Sequence, residues 1–215
     1  MMTSNFIKRR KNFKIKEITS QYNPENKPLP SSFKILNSYP SSHFRGKKST
    51  NHYIYIQKCA FKTIEHHIGF GEGKDTPDNI VEQGGILLGK TFIDTDKEIT
   101  YGVVEQAIEG KLAKGTNAYL EMTHETWKEM LDKTDELLGE SGSEFQIIGW
   151  YHTHPNMLDV FMSGTDKATQ ARLFGNDWQF AIVLNPQKSI WRAFYGRYSQ
   201  ECKGHIIENE EKNDE

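Results

Sequence analysis

Residues 144–155 read EFQIIGWYHTHP, and what this stretch becomes constrains everything around it. Its apolar, β-branched and aromatic residues predict a central strand over 144–154. His152 and His154 then stand at i and i+2, on one face of the strand, with backbone origins about 6.6 Å apart. Two imidazoles so placed suit a single metal ion, although the same pair is compatible with ordinary strand histidines. Asp166 follows His154 by twelve residues, on the first turn of a helix predicted from Ser163 to about Phe174, where a carboxylate can reach back to the strand end. Two histidines and one carboxylate leave a tetrahedral zinc one open position, as hydrolytic rather than structural sites do. Ser163-Gly164-Thr165-Asp166 also reads as a helix start, with Ser163 as N-cap and Asp166 near the positive end of the helix dipole, and both readings can hold together.

Working outward, HYIYIQ (52–57) alternates as a strand, and KCAFKTIEHHIGF (58–70) places Phe61, Ile64 and Ile68 on one helical face. A glycine-rich turn (69–79) closes that unit. EQGGILLGKTFID (82–94) and EITYGVVEQAI (98–108) read as a hairpin. Thr123 can cap a helix through Gly139 whose apolar stripe is Trp127, Met130, Leu131, Thr134, Leu137 and Leu138. WQFAIVLN (178–185) and SIWRAFYGRY (189–198) are strands around an Asn185-Pro186 turn. Without regular βαβ alternation the class is α+β.

The ends differ from the middle. Of 215 residues, the first 50 carry 11 Lys/Arg against 2 Asp/Glu, with four of the seven prolines and eight serines, whereas 199–215 carry 2 against 6. The expected organisation is a flexible basic extension (1–50), a catalytic domain (51–198) and an acidic, solvated tail (199–215). Two cysteines, Cys59 and Cys202, cannot build a disulfide framework. With no apolar run long enough to span a membrane and no signal-like start, a soluble cytoplasmic protein is expected. The six basic residues between Lys8 and Lys16 read as a solubilising or partner-docking arm in preference to a nucleic-acid contact.

GWYHTHP (149–155), then Ser163-x-x-Asp166, with Glu82-x-x-Gly85-x-Leu87-Leu88-Gly89 about 70 residues upstream, resembles the JAMM motif of the MPN-domain (JAB) zinc metallopeptidases. That family runs from the proteasome-lid deubiquitinase to prokaryotic JAB-domain peptidases. The resemblance covers roughly residues 52–198 and implies the MPN fold, a mixed, mostly antiparallel sheet flanked by helices. It also implies one zinc ion per chain on His152, His154 and Asp166, Glu82 as general base, and Ser163 assisting the tetrahedral oxyanion. The family usually has seven residues between the second histidine and the serine; Pro155 to Met162 makes eight, which bears on the placement of Ser163 more than on the ligands.

The implied activity is hydrolysis of the isopeptide or peptide bond after the C-terminus of ubiquitin or a ubiquitin-like modifier, whose conjugates would be the partners. Two other readings are compatible with these residues: a catalytically idle MPN scaffold that docks partners, and a zinc peptidase acting on a sulfur-carrier protein or another non-ubiquitin substrate. Cleft walls are expected around Gly110–Tyr119 and Pro155–Met162, and a modifier tail could add as a strand beside 144–154 or the hairpin strands. Three decoys are set aside. Gly84 to Thr91 satisfies GxxxxGK[ST] but lies within a predicted hairpin, not before a helix. Cys59, near His66 and His67, reads as a buried or half-buried structural thiol, and Ser163 lacks the GxSxG elbow of a serine hydrolase. His124 is expected to be exposed.

Overall fold

A computed structural model describes residues 22–39, 51–72, 80–115, 120–141 and 145–208. In chain order the elements are β1 (Glu25–Asn26), β2 (Lys34–Tyr39), β3 (His52–Gln57), α1 (Lys58–Ile68), β4 (Gly84–Asp94), β5 (Ile99–Glu109), the short pair β6 (Lys114–Gly115) and β7 (Leu120–Glu121), α2 (His124–Ser141), β8 (Gln146–Thr153), α3 (Gly164–Leu173), β9 (Phe180–Asn185), β10 (Ile190–Tyr195) and β11 (Gln200–Glu208). The class is α+β, and the predicted strands, hairpin and helices form close to their expected bounds.

The main sheet closes on itself. Its strands pair in the order β4-β5-β3-β11-β10-β9-β8, and β8 pairs back onto β4. The β3–β5, β3–β11 and β8–β9 pairs are parallel; β4–β5, β4–β8, β9–β10 and β10–β11 are antiparallel. One apolar cluster joins Ile54, Ile56, Leu87, Ile182 and Leu184 to the buried face of α1 (Ala60, Phe61, Ile64, Ile68). Each such side chain, fully buried, contributes about 1.5–3 kcal/mol. The helix ends where Gly69 takes the left-handed conformation (φ 62°) and its N–H donates to Glu65 O. A second cluster on the opposite face sets Ile86, Leu88, Trp150, Ala181 and Val183 against Met130 of α2.

Several expectations change. HYIYIQ alternates, but both of its faces are covered: Ile54 and Ile56 enter the first cluster, whereas Tyr55 packs with Tyr101, Phe92 and Ile207 beneath Leu29 and Phe33. Residues 22–39 therefore cover the body, tied down by Tyr22 Oη donating to Thr91 O (3.2 Å), Leu29 N–H to Asp94 Oδ2 (2.8 Å) and Tyr101 Oη to Pro28 O (3.2 Å). The 199–215 boundary is corrected too. Residues 200–208 form β11, between β3 and β10, with Cys202 and Ile207 fully buried. Two acids assigned to a solvated tail are structural: Glu201 is buried against Arg192 (2.9 Å), and Glu208 meets Lys34 (2.7 Å) and Lys58 (2.6 Å), which hold its carboxyl below the usual range. Polar residues interleaved with apolar ones in QECKGHIIE hid a strand with period-2 patterning. The basic run Lys8–Lys16 and the acids from Glu210 onward lie outside the described residues.

Cys59 is exposed, because the buried face of α1 is that of Ala60 and Ile64; Leu131 likewise lies outside the stripe that α2 buries. His124 is exposed, as expected. The GxxxxGK[ST] match lies wholly inside β4. Its glycines are there for close strand approach: a Cβ on Gly84 would meet Tyr151 O at 2.6 Å, and one on Gly89 would meet Val103 O at 1.9 Å. Strand addition beside 144–154 is also overturned, since β8 is flanked by β4 over 146–152 and by β9 over 149–153. The hairpin strands are flanked over part of their length, β4 by β8 over 84–89 and β5 by β3 over 100–104.

A chain ending at Tyr198 is expected to lose cooperative unfolding, because it lacks the strand between β3 and β10; near-ultraviolet circular dichroism through a urea titration reads this. His52, stacked on Tyr195 with ring centroids 3.6 Å apart, has its pKa pulled from 6.5 to about 4 by burial. The unfolded chain therefore takes up that proton first, so stability is full above about pH 6.5 and falls as the pH drops toward about 4. His52→Phe, which keeps the stack without the titration, should flatten the fall in urea midpoint across that window.

Candidate metal centre

The register of two strands builds the site. Gly84 lies opposite His152, so the antiparallel ladder sets residue 83 against 153 and 82 against 154. Two bonds carry the pairing past the strand ends: Thr153 N–H to Gln83 O (2.8 Å) and Gln83 N–H to Thr153 Oγ1 (2.9 Å). Residues directly opposite on an antiparallel pair share a face. Glu82 is thereby a cross-strand neighbour of His154, although 72 residues separate them in sequence. Gln83 adds a tie on the other face, donating from Nε2 to His67 O (3.0 Å) at the end of α1.

Asp166 arrives from α3. Ser163 is its N-cap: Ser163 Oγ accepts from Asp166 N–H (3.2 Å), and Asp166 Oδ2 accepts from Ser163 N–H (2.7 Å), a complete capping box. The box fixes the carboxylate so that Oδ2 also lies 3.3 Å from His152 Nε2 and 3.3 Å from His154 Nε2. The helix-start and ligand readings of this segment thus use the same atoms.

His154 Nδ1 is 2.8 Å from Asp159 O. A carbonyl can only accept, so Nδ1 carries a proton, and in the neutral ring Nε2 is the nitrogen with a lone pair to offer a cation. His152 is fully buried, stacked on Trp150 with ring centroids 4.4 Å apart. Neither of its nitrogens has a hydrogen-bond partner among the described residues, Nε2 approaching Asp166 outside hydrogen-bond geometry. A buried polar atom left in that state costs about 1–3 kcal/mol.

The three side chains offer ligand atoms within 4.8 Å of one another, all buried. Two imidazoles and a carboxylate are a zinc donor set, and an ion there would satisfy the orphaned Nε2 of His152. The electrostatics differ between the two histidines. Burial lowers the pKa of His152, favouring the neutral form that a ligand requires. For His154 burial acts in the same direction, but Asp166, the Asp159 carbonyl and Glu82 outweigh it and raise the pKa. Burial also opposes charge on Asp166, and the imidazoles of His152 and His154 beside it, with the bond from Ser163 N–H, reverse that, holding the carboxyl far below its usual range. Glu82 is pushed up to about 7 by burial, with His154 opposing and Asp166 adding to the rise. A divalent cation nearby would draw it down again.

These groups open onto a cleft of about 580 Å³, lined by Glu82, His154, Ser163 and Asp166 on its polar side. His152 lies behind it. The apolar wall includes Leu120 and Met122, which follow the 110–119 segment, and Leu158 and Phe161 from the 155–162 loop; residues 116–119 lie outside the described residues. All five residues singled out from the sequence are thus in one place. The Asp159 carbonyl was not foreseen, because a backbone atom leaves no trace in residue identity.

Residues 49–174 match the family described as JAB1/Mov34/MPN/PAD-1 ubiquitin protease, and the chain belongs to that family. Among individual relatives, it is 26% identical over 157 residues to the ubiquitin carboxyl-terminal hydrolase RPN11 of Saccharomyces cerevisiae, covering 73% of this chain and 46% of that protein. It is 27% identical to the 26S proteasome non-ATPase regulatory subunit 14 of Caenorhabditis elegans, over 66% of this chain and 40% of the relative. To COP9 signalosome complex subunit 5 of Candida albicans it is 31% identical, over 51% of this chain and 17% of the relative. The chain spans less than half the length of each of these proteins.

Zinc at about 100 times its Kd should stabilise the protein by about 2.7 kcal/mol. Scanning calorimetry is expected to show the corresponding rise in melting temperature, and His154→Ala should abolish it.

Proposed function

We propose that this protein is a zinc-dependent isopeptidase that cleaves the bond after the C-terminus of ubiquitin or a ubiquitin-like modifier. The observation that carries the reading is the convergence of Glu82, His154, Asp166 and Ser163 on one cleft, with His152 directly behind them. His152, His154 and Asp166 would hold the ion, which supplies Lewis acidity to polarise a scissile carbonyl and to acidify water.

The remaining chemistry belongs to the chain. Glu82, on the cleft and opposite His154, takes the proton of the attacking water and passes it to the departing lysine amine, which cannot leave as an anion. Ser163 Oγ uses a lone pair to cap α3, which leaves its hydroxyl hydrogen to donate to the oxyanion of the tetrahedral species. A donor of that kind is worth about 2.7–4 kcal/mol. Leu120, Met122, Leu158 and Phe161 give the cleft an apolar wall against which the chain leading to the bond can lie.

The intact ligand set and base weigh against the idle-scaffold reading. The relatives' names support a ubiquitin-type substrate over a sulfur-carrier protein. They also support a place within a larger assembly, since two of the three are named as subunits of the 26S proteasome or COP9 signalosome.

Glu82→Gln is expected to keep about one zinc per chain while cleavage of a ubiquitin–lysine isopeptide conjugate falls by roughly 10²–10⁴-fold. A His152→Ala/His154→Ala pair should lose both metal and cleavage. Metal by plasma emission and a panel of ubiquitin, ubiquitin-like and sulfur-carrier conjugates decide the matter. Undiminished zinc in the histidine pair, or cleavage at the wild-type rate by E82Q, would sink the proposal.

A further inference from the structure

We infer that Lys188 and Asn185, at the turn between β9 and β10, are positioning residues for the ligand nitrogen of His154, acting through the backbone of the 156–160 loop. The inference rests on the metal-centre reading above and concerns how the chain holds that centre in place.

The loop is fastened carbonyl by carbonyl. Asn185, fully buried, donates from Nδ2 to Asn156 O (3.0 Å) and Leu158 O (2.8 Å). Its Oδ1 accepts from Lys188 N–H (2.7 Å), so both ends of the amide agree on its orientation. Lys188 Nζ donates to Met157 O (2.8 Å), Leu158 O (3.0 Å) and Asp159 Oδ1 (3.3 Å), using all three ammonium hydrogens. Arg192, held by Glu201, donates from Nη1 to Val160 O (2.8 Å). Gln187 Oε1 accepts from Asn156 N–H (2.8 Å), where the backbone passes through φ 60°.

Four of the five carbonyls from 156 to 160 are thus bound by side chains of the β9–β10 unit. The fifth, Asp159 O, is turned toward His154 Nδ1 at 2.8 Å. That bond selects the tautomer in which Nε2 is the free donor atom, and hydrogen bonds of this kind to ligating histidines typically govern metal affinity by 10–100-fold. The loop has no strand or helix of its own to aim this carbonyl, so the latch aims it.

The test uses the full chain. Lys188→Met keeps the aliphatic stem and removes three donors; Lys188→Arg restores donors at the same place. Zinc affinity by chelator competition should weaken by about 10–100-fold in K188M and recover in part in K188R. On metal-free protein, ¹⁵N imidazole shifts, assigned with His154→Gln, should show His154 protonated at Nδ1 in the wild type and displaced from that form in K188M. If K188M fails to fold, Lys188→Gln, which retains a single amide donor group, carries the comparison. A folded K188M with wild-type zinc affinity and an unchanged His154 tautomer overturns the inference, as does a wild-type His154 protonated at Nε2 and not at Nδ1. If instead the wild type binds no zinc, the metal-centre reading fails, and the metal-free tautomer still decides whether the latch orients His154.

Discussion

The pairing of β4 with β8 is the constraint on which the rest of the molecule turns. It is the contact that closes the sheet, and it is antiparallel with Gly84 opposite His152. A one-residue slip would send every side chain of β8 to the opposite face, moving His152 and His154 away from α3 and toward α1. Several features pin the register. Gly84 and Gly85 have no side chain to obstruct Tyr151, and a Cβ at Gly85 would meet Ile108 O at 2.1 Å. Tyr151, on the face away from the site, is fully buried with its hydroxyl 2.8 Å from His67 Nδ1. Thr153 and Gln83 then extend the pairing by one residue, as far as Glu82.

The site draws four side chains from three places along the chain, and each is held by ordinary structural chemistry. Asp166 is oriented by the cap of a helix, His154 by a latched loop, Glu82 by a strand register and His152 by burial against Trp150. The cost of this arrangement is concentrated at His152, whose two nitrogens are buried without hydrogen bonds among the described residues. A protein core does not ordinarily retain such a group, and its persistence beside two other potential ligands is what a binding site for a cation looks like from the protein's side.

Much of this was legible in residue order. The strands at 82–94, 98–108 and 144–154 and the three helices follow from periodicity and caps, and Ser163-x-x-Asp166 announces both a helix start and a carboxylate. Less legible were the elements whose burial comes from the tertiary structure. QECKGHIIE mixes charged and apolar residues because Glu201 is neutralised by Arg192 and Glu208 by two lysines, so it reads as a tail although it lies at the centre of the sheet. Residues 22–39 look like an extension until Leu29 and Phe33 are seen against the tyrosine face of β3. The exposure of Cys59 is an angular matter: a helix with only four buried positions leaves most of its circumference outside.

The sequence by itself determined the chemical inventory: two histidines at strand spacing, a carboxylate at a helix start, a glutamate in a distant strand, and the alternation of strand and helix that makes the class α+β. Spacing along one chain can encode those, because strand and helix periods are local. Tertiary structure alone decided that Glu82 faces His154, that β8 is flanked by β4 and β9, and which nitrogen of His154 is bound to a carbonyl. Each of those depends on backbone groups meeting across long separations, and backbone groups are the same in every residue, so no sequence pattern could mark them.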